Sequence, residues 1–402
     1  MKGTKSVDEI KTLVAGYREE AVQLLQRALR TPSSTGEEKE MGKLFAKEME
    51  SFGLDVQRIE YEQDRTNLLA EWVGNSEGKK FIFNGHMDVY PPNNGNDGKF
   101  GPWSGHVADG KLYGRGAADM KSGDCAAMMA VRILKETGYV PDGEILLSYM
   151  VDEERSSEMG AVSLLNNGYM LGYDCGVCME PTNNEALMEQ GGIWQADVTY
   201  RCEGGHSTSD MGGKKDALQK ALDAIEELYK LQAKVTQRTY SMLGQQHFKV
   251  NNLHAGQMGN TIPSMCTFGF DRRFSPGDSL DDVKREILDI LDELKAKDPE
   301  YDYEIQELCQ YPSFKMDADN TDVQLMISAC SDIKGRPVKR FGWYAGTDSA
   351  HIMDRTSTQI LVVGPGDVMQ ASMPDEHVPI DDYLDAIAIY IRIIDTIVGQ
   401  KA

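Results

Sequence analysis

Phe81-Ile82-Phe83-Asn84-Gly85-His86-Met87-Asp88 is an apolar run that ends in a histidine and an acid. Phe81 to Asn84 has the composition of a short buried strand, so Gly85 to Asp88 falls where the strand stops. Period-2 alternation then puts His86 and Asp88 on one side. An aspartate there can take the second N–H of the imidazole, which fixes the tautomer of a metal-binding histidine. The same residues also read as a loop-end histidine followed by a helix-capping acid.

Working outward, the pattern recurs. Glu144-Ile145-Leu146-Leu147-Ser148-Tyr149-Met150-Val151 reads as a strand and runs directly into Asp152-Glu153-Glu154. Three successive acids repel one another unless a cation or a proton neutralises them, although a solvated acidic loop tolerates them too. Cys175-Gly176-Val177-Cys178-Met179 leads into Glu180-Pro181-Thr182, a further carboxylate at a strand end. Between these strands, Leu112-Tyr113-Gly114-Arg115-Gly116-Ala117-Ala118-Asp119-Met120-Lys121 turns on its glycines and enters a small-residue helix. Asp119, just before that helix, reads either as a plain N-cap or as a carboxylate that bridges metals. Oxygen and imidazole ligands delivered from several strand ends are what a hydrolytic zinc site requires.

Strand-like and helical segments alternate up to Glu180, which predicts an α/β core with a largely parallel sheet. Ser6-Val7-Asp8-Glu9 is a capping box opening one helix that Thr31-Pro32 closes, and a second helix runs from about Glu37 to Phe52. After Glu189 the rhythm changes. Ile193 to Tyr200 alternates as a half-exposed strand, a helix follows from about Asp216 to Gln232, Thr267 to Arg273 is a strand, and a helix runs from Ser279 to about Lys297. The predicted division is a discontinuous catalytic domain, 1–189 and 310–402, around an inserted α+β domain, 190–309. The last helix is expected from Tyr383 to Val398.

In order, the motifs are Gly-His-x-Asp, Gly-Arg-Gly-x-x-Asp-x-Lys, Asp-Glu-Glu, Glu-Pro-Thr, Gly-Gly-His-Ser (Gly204 to Ser207), Asp-x-Arg (Asp271 to Arg273) and Gly-Pro-Gly (Gly364 to Gly366). Together they resemble the M20 metallopeptidase family over nearly the whole chain. The resemblance implies a zinc-peptidase-like catalytic domain with a mostly parallel mixed sheet flanked by helices, and a ferredoxin-like lid or dimerisation domain. It implies His86, Asp119, Glu154 and Glu180 as metal ligands, with Asp119 bridging two ions. Glu153 is similar to the family's general base, Asp88 to the acid that orients His86, and His206 to an oxyanion donor often supplied by a partner subunit. Asn260, Arg273, Gly346 and Thr347 resemble substrate-binding positions. An arginine suits a substrate carboxylate because its fork pairs both oxygens. The implied cofactor is Zn2+, one ion or two, with Co2+ or Mn2+ as substitutes.

One position departs from the family. Where its last histidine ligand stands, this chain reads Gly364-Pro365-Gly366-Asp367-Val368-Met369-Gln370-Ala371-Ser372-Met373-Pro374-Asp375-Glu376-His377, with Ser372 in the ligand's place. A neutral hydroxyl is a poor zinc ligand. Either His377 or His351 fills the gap, or the enzyme works mainly with one metal, and the last reading is favoured.

Glu180, rather than aspartate, resembles the family's deacylase and carboxypeptidase branches. The expected reaction is hydrolysis of the amide of an N-acylated amino acid, with dipeptidase or carboxypeptidase activity and a non-catalytic homologue as alternatives. Composition fits. With 402 residues, two domains are expected. Lys and Arg total 42 against 64 Asp and Glu, a net charge of −22 that argues against nucleic acid or an anionic membrane as partner. No apolar run is long enough to span a bilayer, and the stretch Met1-Lys2-Gly3-Thr4-Lys5 lacks a signal-peptide core, so a cytoplasmic protein is expected; the resemblance implies a homodimer through the inserted domain. The seven cysteines are scattered through apolar segments, which favours reduced thiols, while Cys175-Gly176-Val177-Cys178 raises a structural zinc or a redox pair as an alternative.

Overall fold

The computed structural model describes residues 5–93 and 95–400. Residues 1–4, part of the stretch read as lacking a signal-peptide core, lie outside the described residues. The chain divides into two compact units: Met1–Met188, Met316–Phe341 and Thr347–Ala402 form the first, and Glu189–Lys315 with Gly342–Gly346 forms the second. The return to the first unit thus comes later than the 310 expected. The reason is that Gln310 lies inside a strand, Tyr303–Tyr311, that belongs to the second unit's own sheet.

The N-terminal capping box is formed, with Ser6 Oγ accepting from the Glu9 N–H at 3.2 Å and Glu9 Oε2 from the Ser6 N–H at 2.7 Å. The box opens two helices rather than one, α1 (Val7–Gly16) and α2 (Arg18–Arg30), because Tyr17 leaves helical geometry with φ −105° and ψ 11° directly after Gly16. Glycine is a poor helix former, and the apolar periodicity carries on across the break without marking it. The third helix, α3, covers Lys39–Ser51 and stops before Gly53, whose φ of +79° no other residue type adopts as readily.

The first unit is built on β1 (Asp55–Glu62), β2 (Arg65–Val73), β3 (Lys79–His86), β6 (Gly143–Met150), β7 (Cys175–Cys178) and β8 (Ala186–Gln190), with a small hairpin β4 (His106–Ala108) and β5 (Lys111–Tyr113) and helix α4 (Lys121–Glu136) between β3 and β6. The sheet order is β1-β2-β6-β3-β7, then the strand Gln359–Val362, then β8. Its centre is parallel: β3 runs alongside β6 and β7, and Gln359–Val362 alongside β7. The outer pairs β1–β2 and β2–β6 are antiparallel. Every residue of β6 is buried, as expected for a strand covered on both faces. The functional consequence is topological. Three parallel neighbours end at one edge, and the chain segments leaving that edge carry His86, Glu153 and Glu180.

Helix α4 is buried along most of its length, and its small residues let it lie close to the sheet. A methyl group on Gly123 would lie 2.1 Å from the Met179 carbonyl oxygen. Cys175 and Cys178, three apart on β7, point to opposite faces and are both free and buried. Burial pushes the Cys175 thiol up to about 12. The Cys-x-x-Cys is therefore neither a zinc knuckle nor a redox pair.

Asp124 is the anomaly of this core. It is fully buried on α4, neither carboxyl oxygen has a hydrogen-bond partner among the described residues, and burial holds its pKa well above the usual carboxylate range. A raised folded-state pKa adds stability only while both states are protonated, and that stability is lost as pH rises above the unfolded value. Asp124→Asn is therefore expected to melt higher than the wild type at pH 7, by about 1 kcal/mol or more. The gap should close below about pH 4, where the unfolded aspartate is also neutral. Thermal unfolding at the two pH values checks this.

In the second unit β9 (Gly192–Arg201) pairs antiparallel with Met265–Phe274 and with Tyr303–Tyr311, and Met265–Phe274 pairs with the edge strand His247–Ala255. Strict alternation sets the faces. Trp194, Ala196, Val198 and Tyr200 are buried with Phe268, Phe270, Ile287 and Leu291, so helices Ala217–Val235 and Leu280–Lys297 pack on one side. The strands His247–Ala255 and Tyr303–Tyr311 have no clear signature in the sequence. Both carry polar and exposed residues at many positions, which blurs the period-2 signal. Among the described residues no helix is long and apolar enough to cross a membrane. The last helix runs Ile380–Ile397 in the first unit.

Candidate metal centre

His86 ends β3 with its ring almost fully buried. Its Nε2 lies 3.2 Å from Asp119 Oδ1, 3.5 Å from Glu180 Oε1 and 3.7 Å from Glu153 Oε2. One ligand atom each from His86, Asp119 and Glu180 lie within 4.8 Å of one another, the spacing of donors around one cation, and among the described residues this is the group of three or more that meets it. Glu154, which the resemblance gives to the other metal, is outside this one-ion group. Its Oε1 accepts the Tyr90 N–H at 3.1 Å.

The electrostatics of the centre are those of surplus negative charge. Burial pushes Glu180 up to about 8, with the charge of Asp119 adding to it. Burial also holds Glu153 and Glu154 well above the usual range, with Glu180 and Asp348 raising Glu153 further. For His86, burial alone would lower the pKa, but Glu153, Asp119, Asp88 and Glu180 outweigh it and hold the ring well above its ordinary value. A cation between these groups would relieve the repulsion at once, so the donor set of one imidazole and crowded carboxylates fits a divalent metal.

Asp88 faces His86 through both its backbone and its side chain. The Nδ1 of His86 meets the backbone carbonyl of Asp88 at 2.9 Å, while the carboxylate stands 3.5 Å away. Asp88 Oδ1 accepts the Glu153 N–H at 3.1 Å, and Oδ2 accepts the Glu154 N–H at 3.2 Å and the Thr35 hydroxyl at 2.9 Å. A two-residue spacing allows either bond, and only the strand's end geometry decides. The Asp88 side chain thus fixes the Glu153–Glu154 corner while also standing beside the imidazole, whose shorter contact is with the Asp88 carbonyl. Asp119 is no N-cap: the cap of α4 is Met120, which makes no side-chain capping bond.

Two residues that spacing did not single out hold the Asp119 loop. Glu376 pairs with Arg115 at 2.7 Å and accepts the N–H groups of Gly116, Ala118 and Asp119 at 3.0, 3.0 and 3.3 Å. Lys121 is fully buried and donates to the Ala28 and Thr31 carbonyls at the end of α2, at 3.1 and 2.8 Å; burial pushes its pKa down to about 7. Neither of the suggested replacements for the missing histidine joins the trio. His377 has Nδ1 on the Asp375 carbonyl at 2.9 Å and Nε2 on Lys111 Nζ at 3.0 Å. His351 is buried on the helix Asp348–Arg355, and burial pushes its pKa down to about 3. Asp348, at the start of that helix, is pushed up to about 7 by burial, and its charge acts on Glu153. Thr347 is fully buried with its hydroxyl hydrogen-bonded to Ser349.

In the second unit two expected residues come together. Gly205–His206 pairs with Thr261–Ile262, and the Ser207 N–H donates to the Asn260 carbonyl at 2.9 Å, so the histidine motif and the Gly-Asn-Thr motif are neighbours. His206 is exposed, with Nδ1 2.8 Å from the Thr208 hydroxyl. Arg273 has its fork on Asp271, at 2.7 and 2.9 Å, and donates to the Tyr344 carbonyl at 2.6 Å. Arg272 is fully buried and bonded to Gln246, which leaves Arg273 as the more accessible of the two. Gly346 is closely packed: a methyl group there would meet Ile193 and Tyr311 at 3.1 Å.

A sequence model described as "Peptidase family M20/M25/M40" matches residues 82–396. A succinyl-diaminopimelate desuccinylase of Cereibacter sphaeroides is 32% identical over 272 residues, a match covering 64% of this chain and 68% of that protein. Another, from Thioalkalivibrio sulfidiphilus, is 27% identical over 390 residues, covering 93% and 98%. Among solved structures, an M20 family metallo-carboxypeptidase from Sulfolobus solfataricus superposes with a TM-score of 0.78 over 94% of this chain and 99% of its own, at 17% identity. At that identity the likeness is one of fold.

Proposed function

From the premise that this chain belongs to peptidase family M20/M25/M40 and is a hydrolase of amide bonds, we propose that it removes the acyl group from N-acylated amino acids, and from N-succinylated ones among them. The observation that carries the proposal is the buried trio His86, Asp119 and Glu180 beside Glu153, in a chain with succinyl-diaminopimelate desuccinylases among its relatives. The first unit is read as the catalytic part and the second as a lid or dimerisation part. A cytoplasmic homodimer completes the reading, the dimer being supported by the edge strand His247–Ala255, exposed from Asn251 onward.

His86, Asp119 and Glu180 would hold the ion, zinc by preference; the resemblance gives Glu154 to a second ion shared with Asp119. A divalent ion bound there polarises the amide carbonyl and lowers the pKa of water. The remaining steps belong to the chain. Glu153, kept close by the Asp88 bond to its N–H, takes a proton from the attacking water and delivers it to the leaving nitrogen. His206 donates to the oxygen on which charge develops. The resemblance gives Asn260 and Arg273 the task of receiving the substrate's carboxylate, for which the Arg273 fork would exchange the Asp271 carboxylate for the substrate's.

The test is a panel of N-succinyl and N-acetyl amino acids set against dipeptides, with and without a chelator. Chelator-sensitive hydrolysis of the acyl compounds is expected. Turnover of dipeptides alone would overturn the substrate reading.

Glu376→Gln is expected to weaken metal binding about 10–100-fold, because it loosens the loop that presents Asp119. Competition against a chromophoric chelator measures it. Unchanged affinity would show that the loop holds its shape without Glu376.

A further inference from the structure

We infer that this chain binds one divalent transition-metal ion, at His86, Asp119 and Glu180, and that Ser372 is the residue that removes a second. The inference rests on the proposed reading of the trio as the metal centre and goes beyond it in number and cause. The resemblance assigns a second ion to Asp119, Glu154 and a histidine at position 372. In this chain the first unit offers four histidines, and their positions account for all of them. His86 is in the trio. His106 stacks on Phe100 with ring centroids 4.5 Å apart. His377 has both nitrogens engaged, by Asp375 and Lys111, and His351 is not within ligand distance of the trio.

Ser372 itself sits at φ +62°, and its carbonyl accepts the Asn93 side-chain N–H at 3.1 Å. Its short neutral side chain supplies neither charge nor a nitrogen donor. A second ion would be left with the carboxylates of Asp119, shared with the first ion, and Glu154, one oxygen of which is already on the Tyr90 N–H. Catalytic zinc sites use three protein ligands and include nitrogen or sulfur donors.

The retained Pro374-Asp375-Glu376 segment does not argue for a second ion, because it has another task. Asp375 accepts the Phe100 N–H at 3.0 Å, its own N–H donates to the Asp97 carbonyl at 3.0 Å, and Glu376 braces the Asp119 loop through Arg115 and three backbone N–H groups. The segment keeps its place by holding the first ion's ligand loop, whether or not position 372 binds metal.

The experiment is equilibrium dialysis of the full chain against buffered zinc, with bound metal counted by elemental mass spectrometry and the visible spectrum of the cobalt form recorded in parallel. Wild type, Ser372→Ala and Ser372→His are compared. Histidine is among the residues that accept positive φ, so the last variant can keep the loop's geometry. The expected result is one ion per chain in the wild type and in Ser372→Ala, and a doubling of bound zinc with a new cobalt absorption in Ser372→His. Two ions in the wild type would overturn the inference and leave the hydrolase reading standing, with a histidine supplied from the second unit or a second copy. One ion in all three proteins would overturn the assignment to position 372. No bound metal in any of them would overturn the reading of the trio as a metal centre, and the inference with it.

Discussion

Replacing Glu153 by glutamine is expected to lower kcat about 10²–10⁴-fold, the contribution of a positioned general base, while bound metal stays within a few-fold of the wild type. The split follows from where Glu153 stands. Its carboxyl is 3.7 Å from the His86 imidazole, yet it is not one of the three close donors, so its loss removes a proton carrier and not a ligand. Glutamine keeps the shape and the N–H bond to Asp88, so the corner should survive. In the wild type, burial and the charges of Glu180 and Asp348 hold the Glu153 carboxyl well above its ordinary range, which brings a carboxylate toward the basicity that proton abstraction near neutral pH needs. Steady-state kinetics on an N-succinyl amino acid, with metal counted on the same sample, checks both halves. Loss of metal together with activity would make Glu153 a ligand, and full activity would make another group the base.

The centre was legible in the sequence wherever its residues lay at strand ends. His86, Glu153 and Glu180 each follow or close an apolar run, and parallel β3, β6 and β7 lead to them at one edge, while Asp119 comes from the loop before α4. What spacing left open was which atom of a residue makes a bond. The two-residue step from His86 to Asp88 permits contact through the backbone or the carboxylate; the carbonyl makes the shorter contact at 2.9 Å, and the carboxylate, 3.5 Å from the ring, also accepts the Glu153 and Glu154 N–H groups. Long-range partners were beyond reach for a different reason. Glu376 meets Arg115 across 261 positions, and nothing in either local pattern encodes the other. The break at Tyr17 and the polar strands of the second unit were missed because periodicity survives a one-residue kink and fades where both faces of a strand carry polar side chains.

The same long-range limit hid Arg65, and its removal should have the largest effect on stability. Arg65 opens β2 and is almost fully buried. Its guanidinium reaches both Glu38 oxygens at 3.0 and 2.5 Å and Asp152 Oδ1 at 3.3 Å. Both acids are buried too, so Arg65→Met would leave two carboxylates in a dry interior without their cation. Stranding a buried charge in this way costs about 3–5 kcal/mol. Arg65→Lys keeps the charge and loses the fork, so an intermediate cost is expected. Adding Glu38→Gln and Asp152→Asn to Arg65→Met should recover much of the loss. Asp152 also leads straight into Glu153 and Glu154, and its Oδ2 accepts the Met159 N–H at 3.3 Å, so the ion group braces the corner that carries the proposed base. Thermal and urea unfolding of the single and triple variants measures the stability, and kinetics at a temperature where each is folded measures the coupling. If Arg65→Met unfolds like the wild type, the two acids have other partners. If it unfolds early but turns over normally once folded, the ion group serves the fold alone and the corner is held by Asp88.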